Sequence, residues 1–390
     1  MFGMSMSRRP LAGLLAVVAL LLLAYFFGQR ESSETTKIPA SALISADSQS
    51  TEATTPLLPE FPAADLNSAL TEACSANVAE SANRHWTQEE IQSQIDAFNE
   101  QKRSLSQHLS VSSSAEHLHL AALLEEDPAS RFELLDSAIS LSPSDPFLVW
   151  GAVQICTEAS DSMPCPLRDW ELLLLSVDGQ NSESWIRVAA NRHAANDDEA
   201  ALEAMRYAAT AAESRAYWTE TIEMVERGLA AGSDLAFSER ANMAFGIAAS
   251  ELPRYADYTE MCEERSSESV DWAYACLAYG EVVENQGKTE IGVAIGRSIQ
   301  RLALERLGET EKAAEMQQRI EARSQEKLDS IKDYNPTIMR LIFSNPTLFS
   351  AYLAAIRSQG EEAAQRQITV QIERLIEQQP DLACQQMRVR

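Results

Sequence analysis

The chain has 390 residues, enough for two or three ordinary domains, and its 32 basic and 58 acidic residues give a formal net charge of −26. Such a negative potential repels the phosphates of nucleic acids and of anionic lipid head groups, which argues against a nucleic-acid-binding protein. Glycine and proline number only 14 each, and strong helix formers dominate, so the composition predicts an all-α protein.

An uncharged apolar run, Leu11–Phe27, follows Arg8 and Arg9 near the start of the chain. As a helix it would span about 26 Å, enough to cross the hydrocarbon core of a bilayer. Tyr25–Phe27 stand where a cleavable signal peptide has small residues, so the pattern predicts an uncleaved transmembrane signal anchor, with cleavage as the alternative. The positive-inside bias predicts that residues 1–10 form a short cytoplasmic tail and that the bulk of the chain lies on the outer side.

Two features favour a bacterial envelope over a eukaryotic secretory lumen. Arginine outnumbers lysine in an alanine-rich chain, and both Asn-x-Thr triplets, at Asn335 and Asn345, have proline in the middle and cannot be glycosylated. The predicted location is therefore the bacterial inner membrane, with one span, a cytoplasmic N-terminus and the bulk of the chain in the periplasm.

Beyond the anchor, the composition predicts three further segments. Residues 28–65 are rich in Ser, Thr, Ala, Glu and Pro and lack an amphipathic period, which predicts a disordered linker. Residues 66–330 carry successive helical patterns and are predicted to form a helical repeat domain. Residues 331–390 are predicted to form a C-terminal helical cap.

Local signals define where several helices begin. Thr87 and Glu90 form a capping box that predicts the start of a long helix. Asn345 and Pro346 predict another start, with an Asn cap and proline at the first helical position. The apolar stretch Ile338–Ile356 either packs under the final helix or forms a partner-docking or dimer surface.

The six cysteines are Cys74, Cys156, Cys165, Cys262, Cys276 and Cys384. In an oxidising compartment an even number favours disulfides. Cys156 and Cys165 lie between two helical patterns, and Cys262 and Cys276 flank Glu263–Glu268, which is predicted to be a polar turn. Each of these pairs is a candidate disulfide between the arms of a helical hairpin. The first and last cysteines pair with each other or stay free.

The tryptophan spacing indicates a repeat. Trp150, Trp185 and Trp218 are separated by 35 and 33 residues, close to a period of about 34 residues. Between the last two, the stretch 184–213 has the pattern of a helix, a polar turn and a second helix.

This spacing resembles the tetratricopeptide repeat family. With Trp185 at the aromatic position of that motif, Ala189 falls on its first small position. Ala201 and Ala208 then fall on the small residues of the second helix. A similar second-helix pattern appears at Leu307–Met316. The resemblance covers about residues 147–213 and 285–322, and it implies stacked antiparallel helical hairpins in a solenoid. An unrelated irregular helical stack is the alternative.

No motif for catalysis, cofactor binding or metal binding is found. Nucleotide-binding loops, a GxSxG elbow and an HExxH helix are absent, and no cysteine or histidine group has ligand spacing. Ser324 and Lys327 match SxxK but lack the partner motifs that this chemistry needs. His117 and His119, two apart on a helix, point to different faces, which predicts packing or surface roles. The chain is therefore not expected to be an enzyme.

Together these observations predict a membrane-anchored periplasmic scaffold or adaptor that binds other envelope proteins. Stacked helical hairpins provide a concave surface suited to a peptide or helix. The alternatives are a periplasmic cell-wall-active hydrolase on a helical scaffold and a structural subunit of a membrane complex held through Leu11–Phe27. No cofactor is expected, and the oligomeric state is not predicted.

Overall fold

A computed structural model of the chain describes residues 87–158, 165–332 and 336–378. Within these ranges the chain forms helices and turns and no strand, in agreement with the predicted all-α fold. The predicted anchor, the linker, Cys74 and Cys384 lie outside the described residues. No helix within the described ranges has both the length and the apolar character needed to cross a membrane.

The helices are α1 (Gln88–Leu109), α2 (Ala115–Leu124), α3 (Pro128–Leu141), α4 (Pro146–Glu158), α5 (Leu167–Asp178), α6 (Ser182–Ala194), α7 (Asp198–Ala208), α8 (Trp218–Gly232), α9 (Phe237–Ser250), α10 (Tyr255–Glu268), α11 (Val270–Gln286), α12 (Glu290–Arg306), α13 (Thr310–Lys332), α14 (Pro336–Ser344), α15 (Pro346–Gln359) and α16 (Glu361–Gln378).

The predicted helix starts are confirmed by their capping hydrogen bonds. The Glu90 backbone N–H donates to Thr87 Oγ1 at 3.2 Å, and the Thr87 N–H donates to Glu90 Oε2 at 2.9 Å. At the start of α15, Asn345 Oδ1 accepts from the N–H groups of Thr347 and Leu348. These bonds satisfy N–H groups that have no partner inside a helix.

Helices that are neighbours in the chain pack in pairs, such as α2 with α3, α6 with α7, α8 with α9, and α11 with α12. The buried apolar side chains divide into three main clusters. The first cluster joins α2, α3, α4 and α5, and includes Leu118, Leu135, Ile139, Val153 and Leu174. The second joins α6, α7, α10, α11 and α12, and includes Ile186, Ala201, Met205, Met261 and Ile299. The third joins α1, α2, α8, α9 and α14 to α16, and includes Leu105, Leu120, Ile222, Val225 and Leu353.

The C-terminal helices pack against the middle of the chain. Helix α14 contacts α9, and α15 contacts α8 and α16. Leu341, Phe349 and Ile356 are buried in the third cluster. The rings of Phe245 on α9 and Phe343 on α14 meet edge to face, with centroids 4.9 Å apart. The apolar stretch 338–356 is therefore largely buried within the protein, as the first of the two interpretations expected.

Both predicted cysteine pairs lie at disulfide distance. The Cα atoms are 5.6 Å apart for Cys156 and Cys165 and 5.8 Å apart for Cys262 and Cys276, within the usual range for a disulfide. The first pair joins α4 to the residues before α5, and the second joins α10 to α11.

The predicted polar turn at Glu263–Glu268 is wrong, because these residues form the last turns of α10. The chain reverses at Ser269, whose extended backbone ends α10 and precedes α11. Arg265 explains the difference, since it pairs with Glu268 one turn along and with Asp198 of α7 at 2.8 Å. The polar residues of this segment thus lie on the outer face of α10, and Arg265 among them contacts α7.

We expect the Cys262–Cys276 disulfide to stabilise the second cluster. The two cysteines are 14 positions apart in the sequence, and closing a loop of that length contributes about 3 kcal/mol. The Cys262→Ala/Cys276→Ala variant should therefore lose about 3 kcal/mol in denaturant unfolding of the oxidised protein. A reductant should then lower the stability of this variant less than that of the unsubstituted chain, and equal effects on both would contradict the bond.

Helices α11 and α12 approach each other closely at two glycines. A Cβ atom on Gly280 would lie 2.7 Å from the backbone oxygen of Gly296, and one on Gly296 would lie 2.9 Å from that of Gly280. These are backbone atoms, which cannot move aside as a flexible side chain can. The crossing therefore requires glycine on both helices.

We expect Gly280→Ala to destabilise the protein by about 1–3 kcal/mol, because the new methyl group forces the two helices apart. Gly246 on α9 provides a matched control, since a Cβ there meets nothing within 4 Å. Gly246→Ala should instead stabilise by about 0.5–1 kcal/mol through helix propensity. Thermal and denaturant unfolding of both variants measures the contrast, and similar changes in both would contradict the close crossing.

Candidate functional site

A cavity of about 130 Å³ lies where distant parts of the chain meet. Its walls come from α6, from residues 213–220 leading into α8, from the start of α10, from the turn between α11 and α12, and from the end of α15. We call it the central cavity. Its charged and aromatic lining includes Glu183, Arg215, Trp218, Tyr255, Lys288 and Arg357.

The Asn181 side chain positions one wall of the central cavity. This fully buried amide caps α6, where its Oδ1 accepts from the Glu183 N–H at 3.2 Å. The same oxygen accepts from the Arg215 N–H at 2.9 Å, while Nδ2 donates to the Arg215 carbonyl and to Asp178 Oδ2, both at 2.8 Å. One amide thereby fixes the segment before α8 against the start of α6. The Ser182 N–H adds a bond of 2.8 Å to the Glu213 carbonyl.

Tyr217 adopts a backbone conformation that is unusual for its residue type. Its φ is 56°, in the left-handed region, which costs of order 1–3 kcal/mol for a residue with a side chain. Its buried ring stacks on Phe147 with centroids 5.3 Å apart and lies against Trp150 at 5.5 Å. The Arg215 guanidinium lies 4.7 Å from the centre of the ring. Burial raises the pKa of the phenol. These contacts hold the strained residue at the entry to α8.

Glu183 is the buried acid of the central cavity. Only 2% of its surface is exposed. Its Oε1 accepts from Ser214 Oγ at 3.0 Å, and its Oε2 has no hydrogen-bond partner. Burial raises the pKa of this carboxyl to about 7, an effect that the Ser214 hydrogen bond and the Arg187 charge only partly oppose. The group can therefore exchange a proton near neutral pH.

Two further polar atoms among the lining residues are buried without a partner, namely Arg215 Nε and Trp218 Nε1. The Nη2 atom of Arg215 lies 3.2 Å from the Tyr217 hydroxyl and 3.4 Å from Asp178 Oδ1. The indole of Trp218 lies edge to face against Phe245, with centroids 5.1 Å apart. Both side chains are held by other contacts, so their free N–H groups have fixed positions.

The end of α15 closes another wall. Arg357 lies 2.6 Å from Glu223 and 3.7 Å from Glu220, both on α8. Lys288 Nζ donates to the Ser358 carbonyl at 3.2 Å, and the Glu361 N–H donates to the Lys288 carbonyl at 2.9 Å. These contacts tie the C-terminal helices to the turn between α11 and α12. The wall of the central cavity therefore depends on the position of α15.

The predicted repeat residues occupy the interior. Ala189, Ala201 and Ala208 are fully buried in the second cluster, where α6 packs on α7. Trp185 stacks on Tyr207 with centroids 4.5 Å apart. Small side chains at these three positions leave room for the two helices to pack closely.

The three tryptophans of the repeat spacing contact three different clusters. Trp150 belongs to the first cluster and lies under the Arg187 guanidinium, 3.8 Å from its ring centre. Trp185 packs on the second cluster and Trp218 on the third. Of the three, Trp218 also lines the central cavity.

The histidines singled out by their spacing have packing roles. His119 is buried, and burial lowers the pKa of its ring to about 3, so it is neutral at physiological pH. Its ring lies 4.4 Å from that of Phe147. His117 lies within 3.0 Å of Ser112 Oγ. Across the part of the chain that the structure describes, no group of three or more His, Cys, Asp or Glu is placed to hold a metal ion.

Sequence reasoning missed Asn181, Glu183 and Tyr217. Glu183 is one of 58 acidic residues, and its neighbours in the chain do not distinguish it from an exposed acid. Asn181 precedes a helix and could have been recognised as a cap, but its bonds to Arg215 depend on the fold.

Comparison of the chain with protein-family models gives no match, and comparison with curated proteins gives none either.

The raised pKa of Glu183 predicts a specific dependence of stability on pH. Its ordinary value is 4.5, and the folded value is about 7. Between these values the folded protein keeps a proton that the unfolded chain loses, so stability falls as pH rises and levels off above about 7. The effect amounts to about 3 kcal/mol.

Glu183→Gln should remove this dependence, because the amide does not ionise. Relative to the unsubstituted protein, the variant should gain about 3 kcal/mol in unfolding free energy between about pH 5 and about pH 8. Denaturant unfolding at both pH values measures the difference. Glu203→Gln, on the exposed face of α7, is the control that should show no such gain. A pH-independent difference for Glu183→Gln would contradict the raised pKa.

Proposed function

We propose that the chain is a membrane-anchored periplasmic scaffold or adaptor, with stacked tetratricopeptide-like hairpins that bind other envelope proteins. The packing of α6 on α7 through Ala189, Ala201 and Ala208 supports the repeat-like part of this proposal. The two cysteine pairs at disulfide distance support an oxidising compartment. The apolar run Leu11–Phe27 supports the anchor.

The observation that carries the proposal is a set of exposed apolar side chains on the neighbouring helices α7 and α11. Tyr207, Val270 and Tyr274 have exposed fractions of 49%, 60% and 60%, and we call them the tyrosine face. The ion pair between Arg206 and Asp271, at 3.0 Å, joins the two helices beside it. Tyrosines at a protein surface provide large contact areas with few rotatable bonds and are enriched in binding hot spots.

The tyrosine face is supported by rigid neighbours. Tyr207 stacks on Trp185, whose Nε1 donates to the Gly179 carbonyl at 2.8 Å. Helix α11 is joined to α10 by Cys262 and Cys276 and to α12 at the glycine crossing. Binding at a surface that is already ordered loses little conformational entropy, which favours recognition of a protein partner.

A cell-wall-active hydrolase is the second candidate function. The observation that favours it is the central cavity, where Glu183 has a raised pKa and Glu213 and Glu220 lie in the same lining. Carboxyl groups in unlike environments can serve as acid and base. However, about 130 Å³ is room for one small group, whereas a polymer substrate requires a long open cleft. The size of the cavity therefore argues against the hydrolase, and the adaptor remains the first proposal.

The test is affinity capture of the full-length protein from crosslinked native membranes. We expect one envelope complex to be enriched, and Val270→Ser/Tyr274→Ser to reduce that enrichment by about tenfold, because losing two aromatic or aliphatic contacts costs at least about 1.4 kcal/mol. Leu172→Ser on α5, where the side chain is 64% exposed, is the matched control and should leave capture unchanged.

The outcomes separate the two functions. Equal capture by the double variant and the control would remove the tyrosine face as the binding surface. Release of soluble fragments from cell-wall polymer by the purified protein, abolished in Glu183→Gln, would replace the adaptor with the hydrolase.

A further inference from the structure

Helix α11 exposes one face along most of its length. Residues that follow each other at spacings of three or four share one side of a helix. On α11 such a series is formed by Val270, Tyr274, Ala278, Glu281 and Asn285, of which Ala278 is half-buried and the others are exposed. We call this series the α11 stripe, and it contains two of the three residues of the tyrosine face. At 1.5 Å per residue the stripe is about 22 Å long.

Helix α7 lies beside the α11 stripe. Arg206 on α7 forms its 3.0 Å ion pair with Asp271, the neighbour of Val270 in the chain. Glu199 and Glu203 are exposed and precede Arg206 by seven and three positions, so these three side chains share the outer face of α7. The outer face of α7 and the α11 stripe therefore lie side by side at this ion pair.

The two faces together carry an excess of negative charge. Helices α7 and α11 contain six acidic residues and one basic residue, Arg206, which Asp271 neutralises. Within the described ranges of the chain, Glu199, Glu203 and Glu281 form no ion pair. A nucleic acid, an anionic lipid or an acidic protein is repelled by such a surface, whereas a basic partner is attracted to it.

The apolar side chains of the α11 stripe suit the same kind of partner. The ring of Tyr274 is 60% exposed, and the face of a tyrosine ring attracts the cation of a Lys or Arg side chain. Val270, one turn away, can contact the aliphatic stem of such a side chain or an apolar neighbour. Glu281 lies two turns from Tyr274 on the other side. A partner that presents basic and apolar side chains on one face therefore meets a complementary group for each.

The backbone of α11 favours a helical partner. Its N–H and C=O groups are bonded within the helix, so α11 offers no strand edge to which an extended peptide could bond. A helix satisfies its own backbone groups and can pack lengthwise against another helix. The length of the stripe corresponds to about four turns of such a partner helix.

We infer that the α11 stripe and the outer face of α7 bind a basic amphipathic helix of a partner protein. Its Lys or Arg side chains pair with Glu203 and Glu281, and its apolar side chains pack on Val270 and Tyr274. This inference rests on the proposed adaptor function and deepens it by naming the chemistry of the partner. Because the paired charges lie at an exposed surface, the affinity of the complex falls as the salt concentration rises.

The test is photo-crosslinking of the full-length protein in its native cells, with benzoylphenylalanine in place of Tyr274. This side chain keeps an aromatic ring on the stripe, and benzoylphenylalanine in place of the exposed Leu172 on α5 is the control. We expect position 274, and not position 172, to crosslink to one protein segment, which mass spectrometry then identifies. That segment should contain more Lys and Arg than Asp and Glu, with its apolar residues at spacings of three and four.

A synthetic peptide of the crosslinked segment measures the contribution of charge. Glu203→Gln/Glu281→Gln should weaken its binding to the purified full-length protein by about threefold or more. Glu133→Gln/Asp136→Asn removes the same number of charges from exposed positions on α3 and should leave the affinity unchanged. Raising the salt concentration from about 0.05 M to about 0.5 M should weaken binding to the unsubstituted protein more than binding to Glu203→Gln/Glu281→Gln.

Three outcomes would overturn the inference. The first is a crosslinked segment with no net positive charge. The second is equal binding of the peptide to the two charge variants, which would show that only the net charge of the protein acts. The third is no crosslink from position 274 while the full-length protein still captures a partner, which would place the partner elsewhere and leave the adaptor proposal intact. Loss of all capture would instead remove the adaptor proposal and this inference with it.

Discussion

The buried Asn181 amide is the interaction on which the centre of the molecule depends. It caps α6 and at the same time binds both backbone groups of Arg215. A shorter or apolar side chain would leave several buried backbone groups without partners, each at a cost of about 1–3 kcal/mol. Because the bonded segment leads directly into α8, one side chain determines where this helix of the third cluster begins relative to the second cluster.

The packing of the C-terminal helices depends on the position of α8. Helix α8 contacts α1, α2, α9 and α15, so its position is transmitted to the third cluster as a whole. The ion pair of Arg357 with Glu223 and the bond from Lys288 to the Ser358 carbonyl then attach α15 on two sides. A stack in which each helix contacted only its chain neighbours would have no such closure, and the central cavity would lack one wall.

The sequence predicted the features that depend on short stretches of chain. The capping box at Thr87 and the two cysteine pairs were recognisable because their partners are near in sequence. The turn at Glu263–Glu268 was misplaced because a polar helical face has the same composition as a turn. The central cavity could not be predicted, since its residues come from five separate segments, and periodicity identifies a buried face without identifying what covers it.

The presence of a carboxyl at Glu183 is itself informative. A glutamine there could accept the same hydrogen bond from Ser214 without the desolvation that raises the pKa of the acid. Above neutral pH the carboxylate therefore destabilises the fold relative to an uncharged side chain of the same shape. Stabilities are small differences between large terms, so a penalty of this kind is found where a charge has a use. Glu183 lines the central cavity, so a use for its charge is to be sought there.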